Sequence, residues 1–404
     1  MQPKFSTRTQ WDLSETAYAV ALRHARQSQQ TMFDLTVSNP TTCGFDYDDS
    51  CWQKLLLAPE TAAYEPNPRG LRSAREAVAA YTEQATGAKP DPEHIFLTTS
   101  TSEAYSFLFR LLCDHGDEVL IAQPSYPLFE FLADLDHVRL VSYPLFYDHG
   151  WHLDLAALRS QITPRTRAIV VVQPNNPTGH FTKFAERCAL EALCLEHRLA
   201  LIVDEVFLDY TVDVESNTSI DAHSFSTGEH PVLTFVLSGL SKVSALPQMK
   251  VAWLLCLGPG VVLQEATARL EVIADTFLSM NAPLQSALPG MLDSRHAMQP
   301  QILERTRANL AELDRQLQKP SMVSRLEVEA GWYAVLRVPA IGSTDAAAVR
   351  LLETQQVLVH PGYFYGFADE GWLVVSLLTP VAEFREGISR LIQFFSDAGA
   401  SESA

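Results

Sequence analysis

Ala168-Ile169-Val170-Val171-Val172, followed at once by Gln173-Pro174-Asn175-Asn176-Pro177-Thr178-Gly179, is the stretch on which the reading of this chain turns. A short, continuously apolar run predicts a strand buried on both faces, and the Pro- and Asn-rich segment after it predicts a turn. The same pattern recurs on either side, at 118–122, 139–143, 199–203, 232–237 and 251–257, with Pro, Gly or Asp bounding several of the runs. Helical segments separate most of them, such as 102–113 and 183–197. Upstream, a turn-rich Glu65-Pro66-Asn67-Pro68-Arg69-Gly70 precedes Leu71, Ala74, Val78 and Tyr81, whose spacing is helical. Apolar strands alternating with helical crossovers predict an α/β fold with a mainly parallel sheet covered on both faces.

Further out the pattern changes. From Pro300 a charged amphipathic helix (301–317) precedes a strand (332–338), a helix near 345–355 and a strand at 373–378. This predicts a smaller α+β unit. The expected organisation is an N-terminal arm over 1–44 packing on the small unit, a large domain over 45–290 and a small C-terminal domain over 291–404. With 404 residues, 47% of them hydrophobic, the chain can bury a sizeable core without metals or disulfides. Thirty basic against 48 acidic side chains leave a net charge of −18, a field that repels nucleic acid and anionic lipid. No apolar stretch reaches about 20 residues, so no membrane span is expected. The polar first ten residues do not read as a signal peptide. Six cysteines show no CxxC and no disulfide-framework density. A soluble, cytoplasmic protein without a metal is the expectation.

In an open parallel sheet, ligands bind beyond the carboxyl ends of the strands. Three polar clusters fall there: 173–179 after the 168–172 run, Asp204-Glu205 after 199–203, and Ser238-Gly239-Leu240-Ser241-Lys242 after 232–237. Singly, each has an ordinary structural explanation as a turn, a helix cap or a solvated lysine. Together they bring an amide, a carboxylate and an amine to one crevice.

In this order the motifs Asn175-Asn176-Pro177-Thr178-Gly179, Asp204-Glu205-Val206 and Ser241-Lys242 resemble those of the class I/II aminotransferases, pyridoxal phosphate (PLP) enzymes of fold type I. The resemblance runs from Tyr64 to about Leu378, with support from 98–104 and Pro361-Gly362. It implies that Lys242 forms a Schiff base with the cofactor aldehyde and later moves the substrate proton. Asp204 is then the partner of the ring nitrogen, and Asn176 donates to the ring oxygen and reaches the substrate. Tyr126 stacks on the ring. Thr101 and Ser102, at a helix start, take the phosphate with Ser241 and Lys250. Tyr64 reaches the phosphate of a neighbouring subunit, which implies a homodimer with shared sites. Asn39 and His360 join Asn176 around the substrate. The implied reaction is ping-pong transfer of an amino group from an amino acid to a 2-oxo acid. A lyase, decarboxylase, cyclase or oxidase on the same fold is the alternative, because motifs around the cofactor do not separate these reactions.

Four positions depart from the family pattern. Lys250 stands where an arginine pairs with phosphate, and Gly239 stands where a serine binds it. Phe207 replaces a tyrosine that donates to the ring oxygen, and Tyr210 lies too far along to take that role. Val374 occupies the place of the arginine that grips the substrate carboxylate, and no arginine occurs from 351 to 380. The expectation is that another cation near Asn176 takes the carboxylate, with Arg69, Arg337 and His360 as candidates.

Overall fold

The computed structural model describes residues 6–28, 31–47, 54, 56, 66–212, 224–278, 280–340 and 342–402. An N-terminal helix, Ala17–Gln27, leads to a two-residue strand, β1 (Phe33–Asp34). The apolar runs then become β2 (Ile95–Thr98), β3 (Glu118–Gln123), β4 (Arg139–Tyr147), β5 (Trp151–Leu153), β6 (Thr166–Val172), β7 (Ala200–Asp204), β8 (Thr234–Gly239) and β9 (Ala252–Leu257). They form one eight-stranded sheet in the order β2-β9-β8-β7-β6-β3-β4-β5. The central strands β8, β7, β6, β3 and β4 are parallel; β9 runs against both β8 and β2, and β5 runs against β4. The expected α/β fold with a mainly parallel sheet is what forms.

Alternate residues of each central strand enter two different cores. Ile169, Val171, Leu201 and Val203 pack with Val78, Leu190 and Leu288, whereas Ala168, Val170 and Ile202 pack with Tyr105, Leu108 and Leu270. Helices therefore cover both faces, which is why the runs are apolar without alternation.

The C-terminal strands are β10 (Ser324–Arg325), β11 (Tyr333–Arg337), β12 (Val357–Leu358), β13 (His360–Pro361) and β14 (Trp372–Ser376). Four of them form an antiparallel sheet, β10-β11-β14-β13, while β12 pairs in parallel with β1 of the arm. One face of this sheet, with Tyr333, Val335 and Val374, joins the core of the large sheet; the other, with Leu336, Leu373 and Val375, is covered by helices that include Thr344–Gln355.

Strand direction decides what gathers at one edge. The ends of β6, β7 and β8 lie side by side because Val172 is level with Asp204 and Asp204 with Leu237. β2 points the same way, so the helix Thr101–Leu112 starts at that edge. β9 is reversed, so its beginning lies there and Lys250, two residues before it, comes to the same place.

Candidate active site

A cavity of about 280 Å³ opens at this edge, lined by Thr101, Ser102, Tyr126, Asn176, Asp204, Ser241, Lys242 and Lys250, together with Ser38, Phe207, Gly239 and Tyr333 among others. Eight residues named from the sequence thus share one space, although they come from six separate stretches of chain.

Lys242 lies in a single helical turn, Leu240–Val243, after β8. Its Nζ is 4.8 Å from the Trp332 ring centroid and 5.4 Å from that of Phe207. Aromatic walls replace water around the amine, and this desolvation lowers its pKa to about 8 even though Asp204 pulls the other way. The Tyr210 hydroxyl donates to the Lys242 carbonyl at 2.5 Å and fixes the turn from below. Tyr210 therefore acts on the backbone of the lysine; its hydroxyl does not line the cavity.

Asp204 ends β7, buried. Its carboxylate accepts the Val206 N–H at 3.1 Å and the Tyr105 hydroxyl at 3.2 Å. Burial outweighs these donors and lifts the carboxyl to about 6. Asn176 is buried, and its Oδ1 has no hydrogen-bond partner. An unpaired carbonyl oxygen facing a cavity costs free energy until a ligand supplies a donor.

Also on the cavity wall, Ser100 caps the helix Thr101–Leu112: its Oγ accepts the Glu103 N–H at 3.1 Å, while Glu103 accepts the Thr99 N–H at 2.7 Å. The first-turn N–H groups and the helix dipole make this end an anion site, completed by Lys250 and Ser241. A Cβ at Gly239 would lie 3.0 Å from the Ala252 Cβ and 3.1 Å from the Val251 carbonyl oxygen. The alanine methyl fills the space that a serine side chain at Gly239 needs. Of the serines that could substitute, Ser241 lines the cavity, whereas the buried Ser238 and Ser244 hydroxyls do not and have no partner.

The remaining candidates lie elsewhere. Asn39 is turned away; its Oδ1 accepts the Thr41 N–H at 3.1 Å and the Thr41 hydroxyl at 2.8 Å. Its neighbour Ser38 lines the cavity instead, together with Tyr333. Tyr64 lies outside the described residues. The three proposed substitute cations are engaged outside the cavity, which corrects the expectation. Arg69 binds Glu271 at 2.7 Å. Arg337 stacks on Trp372 at 4.9 Å, in a separate groove. His360 lies 3.2 Å from the Tyr365 hydroxyl and is brought by burial to about 4, so it is uncharged at neutral pH. Val374 is fully buried beside Val335 and His360 on β14.

Sequence reasoning missed Tyr105, Tyr210, Trp332, Tyr333 and Ser38. Tyr105 sits on the apolar stripe of its helix and reads as core; Tyr210 meets the Lys242 carbonyl within the large sheet's own loops, whereas Trp332 and Tyr333 come from the small sheet and Ser38 from the N-terminal segment. Among the described residues no three His, Cys, Asp or Glu side chains group as a metal site, and no helix is long and apolar enough to cross a membrane.

A family model for aminotransferase class I and II matches residues 22–391. Alanine aminotransferase of Mycobacterium tuberculosis is 29% identical over 270 residues, covering 67% of this chain but 62% of its own length. Glutamate-pyruvate aminotransferase AlaA of Escherichia coli is 30% identical over 255 residues, 63% of this chain and 62% of its own. The chain thus matches less than two thirds of the length of these relatives. The Haemophilus influenzae AlaA protein aligns over 96% of both chains at 23% identity. Among solved structures, alanine aminotransferase from Pyrococcus furiosus superposes with a TM-score of 0.83 at 23% identity, covering 98% of this chain and 100% of that one. An Escherichia coli aminotransferase gives 0.82 at 22%, covering 98% and 99%. At such identities the likeness establishes the fold.

Proposed function

The chain belongs to the class I and II aminotransferases, and from that membership we propose that it moves an amino group from an amino acid to a 2-oxo acid in two half-reactions at the cavity described above. The family's cofactor is pyridoxal phosphate, and the residues present fit it: one cavity is lined by a helix N-terminus with Lys250, by a buried carboxylate, by an asparagine whose Oδ1 lacks a donor, and by a desolvated amine. When bound, the cofactor supplies an aldehyde that holds the amino nitrogen and a ring that withdraws electrons from the adjoining carbon.

The chain supplies the rest. Lys242, with its pKa lowered to about 8, offers an uncharged amine at mildly alkaline pH and holds the cofactor covalently. Once substrate takes its place, the same amine is free to carry the proton between carbon atoms. Asp204, its carboxylate held in position by the Tyr105 hydroxyl and the Val206 N–H, would pair with the ring nitrogen of the bound cofactor. Asn176 gives its amide to the ring oxygen. Thr101, Ser102, Ser241 and Lys250 hold the phosphate. Tyr126, at 40% exposure on the cavity wall, would cover the ring of the bound cofactor. Tyr333 and Ser38 bound the space left for substrate.

The reading includes a homodimer in which Tyr64 completes the partner's phosphate site, and the division into an arm, a large domain and a small domain at 44/45 and 290/291. It also places the protein in the cytoplasm, where its free thiols (Cys43, Cys113, Cys188, Cys194 and Cys256) stay reduced. Substrate roles for Asn39 and His360 are not retained, because their side chains are held outside the cavity.

The single observation that carries this proposal is the convergence of Lys242 and Asp204, from different strands, on one cavity that ends at a helix N-terminus. Purified protein mixed with pyridoxal phosphate should turn yellow. Borohydride should then fix the cofactor on Lys242, located by mass spectrometry, and Lys242→Ala should keep its circular dichroism while losing the adduct and all turnover. Label on a different lysine would overturn the assignment.

A further inference from the structure

We propose that the groove between the β4–β5 edge of the large sheet and the segment 366–372 of the small unit binds a planar aromatic monocarboxylate. The site is separate from the catalytic cavity and does not depend on the reaction proposed for it.

Strand register sets the separation. Tyr333, Val335 and Arg337 alternate along β11 and so share the face turned toward the large sheet. Tyr333 lines the catalytic cavity, and Val335 is packed dry beside Val374. Arg337 is level with Trp372 at the far end of the strand, about 13 Å from Tyr333 at the usual rise per residue. The groove there has a volume of about 540 Å³ and shares no lining residue with the cavity. Small-molecule sites typically occupy about 300–1,000 Å³. It also stands clear of the side assigned to the partner. Tyr64 precedes Arg69 by five residues, and the Arg69 carbonyl accepts the Leu97 N–H of β2, at the other end of the eight-stranded sheet from β4 and β5.

Aromatic rings from both units form the walls. Phe367 stacks on Trp372 at 5.2 Å and 24°, while Trp151 stands edge-on to Tyr147 at 5.4 Å and to Phe367 at 6.3 Å. Trp151 is 5% exposed, and its indole N–H has no acceptor. The Arg337 guanidinium lies over the Trp372 ring at 4.9 Å; among the described residues it has no hydrogen bond and no ion pair. With its face on the indole, its N–H groups remain free in the guanidinium plane, where a carboxylate is gripped by two parallel bonds.

These features select one class of ligand. A neutral aromatic would stack but leave the arginine unmatched, and an aliphatic acid would pair with the arginine but leave the rings without an offset partner. A second negative charge is disfavoured, because Asp369 lines the same groove and the chain carries a net charge of −18. A flat ring with one carboxylate satisfies both walls at once.

The test is isothermal titration of the cofactor-loaded protein with 2-naphthoate. It should bind at one site, with 2-naphthamide and cyclohexanecarboxylate each at least tenfold weaker. Arg337→Gln should weaken 2-naphthoate tenfold or more while leaving the rate of the amino-donor half-reaction unchanged. Asp369→Asn should tighten it about two- to fivefold by removing a like charge, a gain that a misfolded variant does not produce. Binding that is as tight in Arg337→Gln as in the parent, and that competes with the amino donor, would put the anion in the catalytic cavity and overturn the proposal. So would the absence of binding at millimolar concentration.

Discussion

Asp204 shows how a single residue links burial to function. Its carboxyl is raised to about 6 by burial, while Val206 and Tyr105 hold it down. Pairing with a protonated ring nitrogen needs the ionised form, so cofactor affinity is complete above about pH 6 and falls as pH drops through it. Tyr105→Phe removes a donor to a charged group, an interaction of about 1.5–3 kcal/mol, and should move that inflection upward by about one pH unit or more. A titration of pyridoxal phosphate affinity against pH reads it directly; an unmoved inflection would mean the hydroxyl contributes nothing. Gly239 supplies a second residue-scale prediction. Its backbone is extended, with φ −177, so no special conformation requires glycine there. The need is steric and comes from Ala252, its register partner. Gly239→Ser alone should cost about 1–3 kcal/mol by overpacking, and adding Ala252→Gly should recover most of it in urea denaturation.

At the scale of elements, the site depends on one strand running the wrong way. β9 is antiparallel within an otherwise parallel region, and that reversal delivers Lys250 to the anion end of the cavity. Lys250→Met should weaken pyridoxal phosphate binding tenfold or more and leave pyridoxal, which lacks the phosphate, unaffected. An equal loss for both ligands in fluorescence titration would show that the lysine acts through the fold. The short apolar runs were legible as strands because burial on both faces leaves no polar residue in them. The helical crossovers between them predict parallel neighbours, but nothing local marks β9 as reversed, since a run of five or six apolar residues reads the same either way. Helix bounds read at 102–113 and 183–197 agree to within one residue with Thr101–Leu112 and Phe184–His197. Pro300 misled the reading. The sequence places the helix start at 301, but the helix spans Arg295–Leu317 with Pro300 inside its second turn, where neighbouring helices hold the chain helical across the lost N–H bond.

In the whole molecule the N-terminal arm ties the two sheets together. Leu35 is fully buried in the core of the small unit and packs on Gly387, its N–H reaches the Leu358 carbonyl at 3.0 Å, and Ser38 follows three residues later at the cavity. Leu35→Ala should cost about 2–5 kcal/mol by leaving a cavity. By loosening the segment that holds Ser38, it should also raise KM for the amino donor more than it changes cofactor affinity. Equal effects on both, measured in the half-reaction and by cofactor titration, would separate the arm from the substrate wall. The sequence by itself determined the α/β class, the parallel core and the strand-end placement of Asn176, Asp204 and Lys242, because these follow from local apolar runs and from polar residues that end them. It also carried the family resemblance, through motifs only a few residues long. Tertiary structure alone decided that Asn39 turns outward while Ser38 turns in, that Tyr105 supports Asp204, and that Arg69, Arg337 and His360 are held away from the cavity. Those outcomes depend on side chains brought together across tens to hundreds of residues, and on competition for partners such as Glu271 and Trp372 that no local spacing records.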